Sequence, residues 1–106
     1  MLSLVTGTLR HEVEMILSSS TITYFDSIVA GDEVKRGKPN PEPYLKSLQK
    51  RRVSKKEAIV IENAPFGIES AKKSGRFCLA VKTSLPEKYL RKADMIFESI
   101  DELRGC

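Results

Sequence analysis

Five short apolar runs, set apart by stretches long enough to hold a helix, constrain this chain more than any single residue does. The runs cover residues 2–5, 24–29, 58–61, 77–81 and 95–97. Runs of that length suit buried strands, and single helices between them make βαβ crossovers. Such units build a mainly parallel sheet with helices on both faces. The class implied is α/β. No internal repeat, low-complexity tract or interdomain linker interrupts the 106 residues, so residues 1–106 read as one domain. A chain of this size buries about 60–70% of its unfolded surface, enough for a core.

The helical stretches carry their own signals. Leu9, Val13, Ile16 and Leu17 recur at helical spacing and predict one apolar face. Asn40-Pro41-Glu42 reads as a helix start, with Asn40 as cap, Pro41 in the first turn and Glu42 at the positive end of the dipole. Tyr44, Leu45 and Leu48 would form its buried stripe. Ser54-Lys55-Lys56-Glu57 has the capping-box spacing, and Ser99-Ile100-Asp101-Glu102 repeats it. Residues 65–74 predict a helix with Ile68 and Ala71 inward and Gly75 as its stop. A short helix is expected after Ser84-Leu85-Pro86.

Composition excludes several functions. Hydrophobic residues at 41% and charged residues at 30% rule out a wholly disordered chain. The net charge of +4 suits an anionic ligand. Lys46, Lys50, Arg51, Arg52, Lys55 and Lys56 crowd one helix end, and Lys72, Lys73 and Arg76 another. No aromatic residues lie among them for base stacking, so they read as solvated surface and not as a nucleic-acid face. No apolar run approaches the ~18 residues of a membrane span, and the first residues lack a signal peptide's basic and long apolar regions. Cys78 sits in an apolar run and Cys106 is the last residue, which predicts a core thiol and a tail thiol. One histidine and no cysteine cluster argue against structural zinc. The compartment expected is the cytoplasm.

Ligands of open parallel sheets bind beyond the carboxyl ends of the strands. Three loops there carry suitable groups. Thr6-Gly7-Thr8 offers hydroxyls and backbone N–H groups to a phosphate oxygen; taken alone, the segment reads first as a helix start with Thr8 only its cap. Lys38, held between Gly37 and Pro39, has a stiff base and a free ammonium for a phosphoryl oxygen; the plain alternative is a solvated basic loop. Glu62 and Asn63 end the third run with oxygen donors that suit Mg²⁺, or else cap the following helix.

Taken in order, the three segments resemble motifs two, three and four of the haloacid dehalogenase superfamily, in the branch of β-phosphoglucomutase and phosphoglycolate phosphatase. Leu2-Ser3-Leu4-Val5-Thr6 matches the apolar strand ending in Thr or Ser, and Gly37-Lys38-Pro39-Asn40-Pro41-Glu42 matches G-K-P-x-P-D/E. The segment from Val60 to Gly75, with Glu62, Asn63, Gly67 and Ala71, matches V-F/I-E-D-S-x-x-G-I/V-x-A-A-x-x-A-G. The resemblance implies a three-layer αβα, Rossmann-like core. It implies that Thr6, with Gly7 and Thr8, binds the transferring phosphoryl group, that Thr6 and Lys38 take part in catalysis, and that Glu62 and Asn63 stand where the family holds Mg²⁺. The substrate implied is a small phosphorylated metabolite such as a sugar phosphate.

Two departures follow. Asn63 replaces the family's Asp, which removes a unit charge beside a dication, worth up to about 4 kcal/mol in a moderately screened site. The first motif, D-x-D-x-T/V, which supplies the nucleophile, has no match: the four Asp are Asp26, Asp32, Asp94 and Asp101, none two apart. The cap domain between motifs one and two has no counterpart either. The chain is therefore expected to correspond to the C-terminal half of such an enzyme and to be inactive alone. The alternatives are a non-catalytic phosphate-binding or interaction module and a basic nucleic-acid-binding domain. In the family the first-motif strand lies between the strands at residues 2–5 and 58–61. Its absence predicts a gap of about 9–10 Å, two strand spacings of ~4.8 Å. Either the sheet closes, or another segment or chain fills the gap, or the domain is marginally stable and self-associates through its open edges.

Overall fold

The computed structural model describes residues 2–52, 58–83 and 85–105. The apolar runs become five strands: β1 (Ser3–Val5), β2 (Ser27–Val29), β3 (Ile59–Glu62), β4 (Phe77–Val81) and β5 (Met95–Phe97). Every pairing is parallel, as βαβ connectivity requires. The strands nevertheless form two sheets, β1-β2 and β3-β4-β5, with no ladder between β1 and β3. The sheet has not closed up. Between β1 and β3 lies a slot of about 400 Å³, whose other lining comes from Tyr44, Ser47, Leu48 and Arg76.

The helices are α1 (Arg10–Ile16), α2 (Ser19–Ile22), α3 (Glu42–Arg51) and α4 (Pro65–Lys73). In α1 only Val13 is buried, and Ile16 is 72% exposed, so the expected apolar face lacks a neighbour to cover it. Leu9, not Thr8, precedes the first turn, and Asp32 Oδ1 accepts from the Arg10 amide at 3.0 Å. The short α2 was not legible in residues 18–23, although Ser18 Oγ accepts from the Thr21 amide and caps it. The second strand begins three residues later than its apolar run, leaving Tyr24 exposed.

Asn40 Oδ1 accepts from the Glu42 amide at 3.0 Å, so it acts at the start of α3 even though the helix begins at Glu42. The buried stripe of α3 is Tyr44 and Ser47; Leu45 faces solvent. The helix α4 follows expectation, with Pro65 in the first turn and Ile68 and Ala71 buried. It stops at Gly75, whose φ of 81° is costly for any residue with a Cβ. A 3-10 turn, Glu87–Tyr89, stands in for the short helix expected after Pro86. At Ile100–Gly105 the capping-box bonds are replaced: the Glu102 carboxylate accepts from the Glu98 amide. The Ser54–Glu57 capping box, Ser84 and Cys106 lie outside the described residues. No helix among the described residues is long and apolar enough to cross a membrane.

The core packs Tyr44, Val60, Ile68, Ala71, Cys78, Ala80 and Leu90 between α3, α4 and β3–β5. Strand alternation sends Ile59 and Ile61 to the opposite face, where they are 63% and 52% exposed beside exposed Phe77. Cys78 is a free core thiol, pushed up to about 11 by burial and by the carboxylates of Glu62 and Asp94.

Several of the basic groups read as solvated surface are anchored, in part through Glu33. Arg10 on α1, outside those clusters, also donates to Glu33 and to the Ile28 carbonyl. Lys50, on α3, donates to Glu33 Oε2 at 2.6 Å and to the same carbonyl at 2.9 Å. Lys72 pairs with Asp94 at 2.7 Å. Arg76 is 1% exposed. Lys55 and Lys56 lie outside the described residues.

Burial works against the Glu33 carboxylate, but hydrogen bonds from Lys50 and Arg10 outweigh it and bring its pKa to about 2 from 4.5. A carboxylate with a depressed folded pKa stabilises fully above its unfolded value and loses that contribution as pH falls through the folded one. Stability measured by urea titration should therefore decline between about pH 4.5 and about pH 2. Glu33→Gln should lower the plateau at pH 7 and flatten that decline. An acid limb of unchanged slope in Glu33→Gln would show that other carboxylates set it.

Candidate functional site

The loops after β1 and β3 and the Lys38 segment meet at the carboxyl edge of the two sheets. Thr6 continues the β1-β2 ladder by donating its amide to the Val29 carbonyl at 2.9 Å, and its Oγ1 accepts from the Thr8 amide at 3.1 Å. That turn carries Gly7 at its exposed tip. The Thr8 carbonyl accepts from the Gly31 amide at 2.8 Å, tying the loop to the one after β2.

Lys38 reaches across the slot. Its Nζ donates to the Val5 carbonyl at 3.1 Å and to Glu62 Oε1 at 2.5 Å, and lies 5.1 Å from the centre of the Tyr44 ring. The ammonium is thus not free, as the sequence suggested, but holds the ends of β1 and β3 together. A lysine offers three N–H donors, and these bonds account for two.

Glu62 is buried and has both oxygens engaged. Oε1 accepts from Lys38 and from the Tyr44 hydroxyl, and Oε2 accepts from the Asn63 amide at 3.2 Å. Its carboxylate occupies the space a Cβ would need at Gly67, since one built there would fall 2.1 Å from Glu62 Cδ. Glycine is required at that point of α4 by this close approach. Burial first, and then the Glu62 charge, push the Tyr44 phenol far above its ordinary value, so it remains a donor. Neither Glu62 nor Asn63 caps α4, whose preceding residue is Ala64 and makes no side-chain cap bond. Asn63 is exposed and its Nδ2 donates to Thr83 Oγ1 at 3.0 Å.

This geometry brings Lys38 and Glu62 together, next to Thr6 through Val5, and leaves Asn63 turned to Thr83. Thr83 was missed by sequence reasoning, Gly67 was matched to a motif without a role, and Tyr44 was placed in the core by its position on the inner stripe of α3 without a named partner.

A divalent cation does not fit these residues alone. The two oxygen-bearing side chains are one carboxylate, already neutralised by Lys38, and one neutral amide. Among the described residues no group of three His, Cys, Asp or Glu could hold a metal. Three of the four Asp are engaged in hydrogen bonds of their own. Asp26 Oδ2 accepts from the Leu2 amide, Asp32 from Arg10, and Asp94 from Lys72 and the Cys78 amide.

Fold and strand-end chemistry define a Rossmann-like α/β domain whose polar groups gather at the carboxyl edge of a parallel sheet. Residues 1–81 match the model of the haloacid dehalogenase-like hydrolases, and the chain belongs to that family. It is 35% identical over 104 residues to validoxylamine A 7'-phosphate phosphatase of Streptomyces hygroscopicus subsp. limoneus, covering 97% of this chain and 49% of that protein. It resembles the structure of CbbY from Rhodobacter sphaeroides in complex with xylulose-(1,5)bisphosphate, with TM-score 0.83, 28% identity, and 96% of this chain against 48% of that one. A β-phosphoglucomutase from Clostridium difficile aligns with TM-score 0.78 and 25% identity, over 95% of this chain and 44% of that one. The chain thus spans about half the length of these relatives.

Proposed function

We propose that this chain supplies the phosphate-holding half of a sugar-phosphate phosphatase or phosphomutase site and is not catalytic by itself. The observation that carries the reading is Lys38, a cation fixed between the Val5 carbonyl and Glu62, one residue from the Thr6 turn. The Gly7 backbone amide, the Thr6 and Thr8 hydroxyls and the remaining Lys38 N–H would take the phosphoryl oxygens. The names of the relatives support a phosphorylated carbohydrate as the ligand class. An attacking carboxylate, and the further acidic ligands that Mg²⁺ needs beside Glu62 and Asn63, would come from residues outside this sequence.

The absence of an Asp pair two apart favours a second reading, a phosphate-binding module without catalysis. Both readings expect the open sheet edges to promote self-association of the isolated chain. Amide NMR during phosphate titration tests the site. Shifts at Thr6, Gly7 and Thr8 should appear and be lost in Lys38→Ala. With Mg²⁺ present, phosphomonoester hydrolysis should stay at background. Shifts confined to the Lys72 and Lys73 helix end would defeat the site, and turnover that disappears in Lys38→Ala would defeat its non-catalytic part.

A further inference from the structure

Lys38 stands in residues 34–41, which carry neither helix nor strand, so its aim depends on what fixes that loop. Three bonds close the loop on itself. The Lys35 amide donates to Glu42 Oε2 at 2.6 Å, the Asn40 amide to the Gly37 carbonyl at 3.0 Å, and the Glu42 amide to Asn40 Oδ1 at 3.0 Å. These bonds shape the loop without seating it on its neighbours. Ser70 supplies a bond from outside: its Oγ donates to the Asn40 carbonyl at 2.6 Å, two residues beyond Lys38.

Ser70 is fully buried in the body of α4. A serine in a helix readily turns its hydroxyl back on the preceding turn of its own backbone. Ser74, at the end of the same helix and also buried, does so by donating to the Ala71 carbonyl at 2.6 Å. Ser70 instead reaches a segment thirty positions away. The motif matched by Val60 to Gly75 has Ala at positions 70 and 74, so both hydroxyls are additions in this chain and only one of them leaves the helix.

One face of α4 thus meets both halves of the ion pair. Gly67 leaves room for the Glu62 carboxylate, and Ser70, about one turn on, holds the loop that carries Lys38. The Lys38 bond to Glu62 joins what the helix has already placed.

We propose that Ser70 is a positioning residue, which seats the Lys38 loop on α4 through the Asn40 carbonyl and so keeps the remaining Lys38 N–H directed at a phosphoryl oxygen. The proposal rests on the phosphate reading. Ser70 touches no ligand, and the loop it holds lies outside the core, so its removal should act on anion affinity and on the loop more than on the fold.

Inorganic phosphate titrated into the full chain, followed by amide NMR, tests this. In Ser70→Ala the shifts at Thr6, Gly7 and Thr8 should persist with a midpoint about fivefold higher, the worth of one ordinary hydrogen bond. Ser74→Ala, which removes an equally buried hydroxyl bonded within α4, should leave the midpoint unchanged. Without phosphate, hydrogen exchange at the Asn40 and Glu42 amides should quicken in Ser70→Ala while residues 78–81 keep their rates. Both substitutions install the residue of the matched motif, so both variants should fold. Shifts with an unchanged midpoint in Ser70→Ala would overturn the positioning role and leave the phosphate site standing. Equal rises in the two variants, or exchange that quickens through α4 and β4 alike, would assign the effect to a loosened helix and overturn it too. No shifts at Thr6, Gly7 and Thr8 in the unaltered chain would remove the phosphate reading itself, and the role of Ser70 with it.

Discussion

Glu62→Ala is expected to cost about 3–5 kcal/mol of folding stability, the usual penalty for leaving one charge of a buried pair alone. Three donors converge on this carboxylate: the Lys38 ammonium, the Tyr44 hydroxyl and the Asn63 amide. Without it Lys38 keeps only the Val5 carbonyl, and a phenol in the core loses its acceptor. Domains of this kind hold about 5–15 kcal/mol in all, and this one begins with two unpaired strand edges. The variant should therefore sit near the unfolding threshold at 25 °C. Urea titration followed by far-UV circular dichroism reads the change, since the chain has no tryptophan. Glu62→Gln keeps an acceptor for Tyr44 but not the charge opposite Lys38, and should fall between the two. A loss under about 1 kcal/mol in Glu62→Ala would show that Lys38 and Tyr44 are satisfied elsewhere and that the edge is not built on this residue.

Gly67→Ala should be destabilising by about 1–3 kcal/mol, although alanine is the better helix former. Position 67 lies inside α4, where the change to alanine in open space would stabilise by about 1 kcal/mol. Here the new Cβ falls 2.1 Å from both the carboxyl carbon and Oε2 of Glu62, so either the helix or the carboxylate must move. Moving the carboxylate breaks its bonds to Lys38 and Tyr44. The sign should reverse in the Glu62→Ala background, where the methyl group has room. A double-mutant cycle by urea unfolding measures that coupling. Additive effects of the two substitutions would mean that Gly67 and Glu62 do not share the space.

Much of the fold was legible because its signals are local. Phe77–Val81 is an unbroken apolar run, and α4 announces itself with Pro65 at its start, Ile68 and Ala71 at helical spacing, and Gly75 at its end. Ile16 and Tyr24 show the limit of such reading. Apolar character says that a side chain would prefer burial, not that a neighbour exists to bury it. The sequence likewise marked Lys38 and Glu62 as candidates, but twenty-four positions of separation carry no information on contact. Their mutual neutralisation, which removes the free ammonium and occupies the metal-type oxygens, belongs to tertiary packing alone. Arg76 was misread for the same reason. A basic residue just past a helix usually faces water, and only its place before β4 turns it inward.

Two sheets that share no ladder need not melt as one. The β1-β2 pair is closed by residues more than twenty positions apart, whereas β3-β4-β5 carries most of the buried core. Cooperativity between them runs through α3, which packs on β1, β2 and α4, through the Lys38 bond to Glu62, and through Val5, which packs against the core of the larger sheet. The smaller sheet is therefore expected to open as a foldon of its own, read as faster hydrogen exchange at residues 3–5 and 27–29 than at residues 59–62 and 77–81. Because Thr6, Gly7 and Thr8 follow directly from β1, the turn proposed to hold the phosphate would then be assembled and dismantled on the timescale of that local opening.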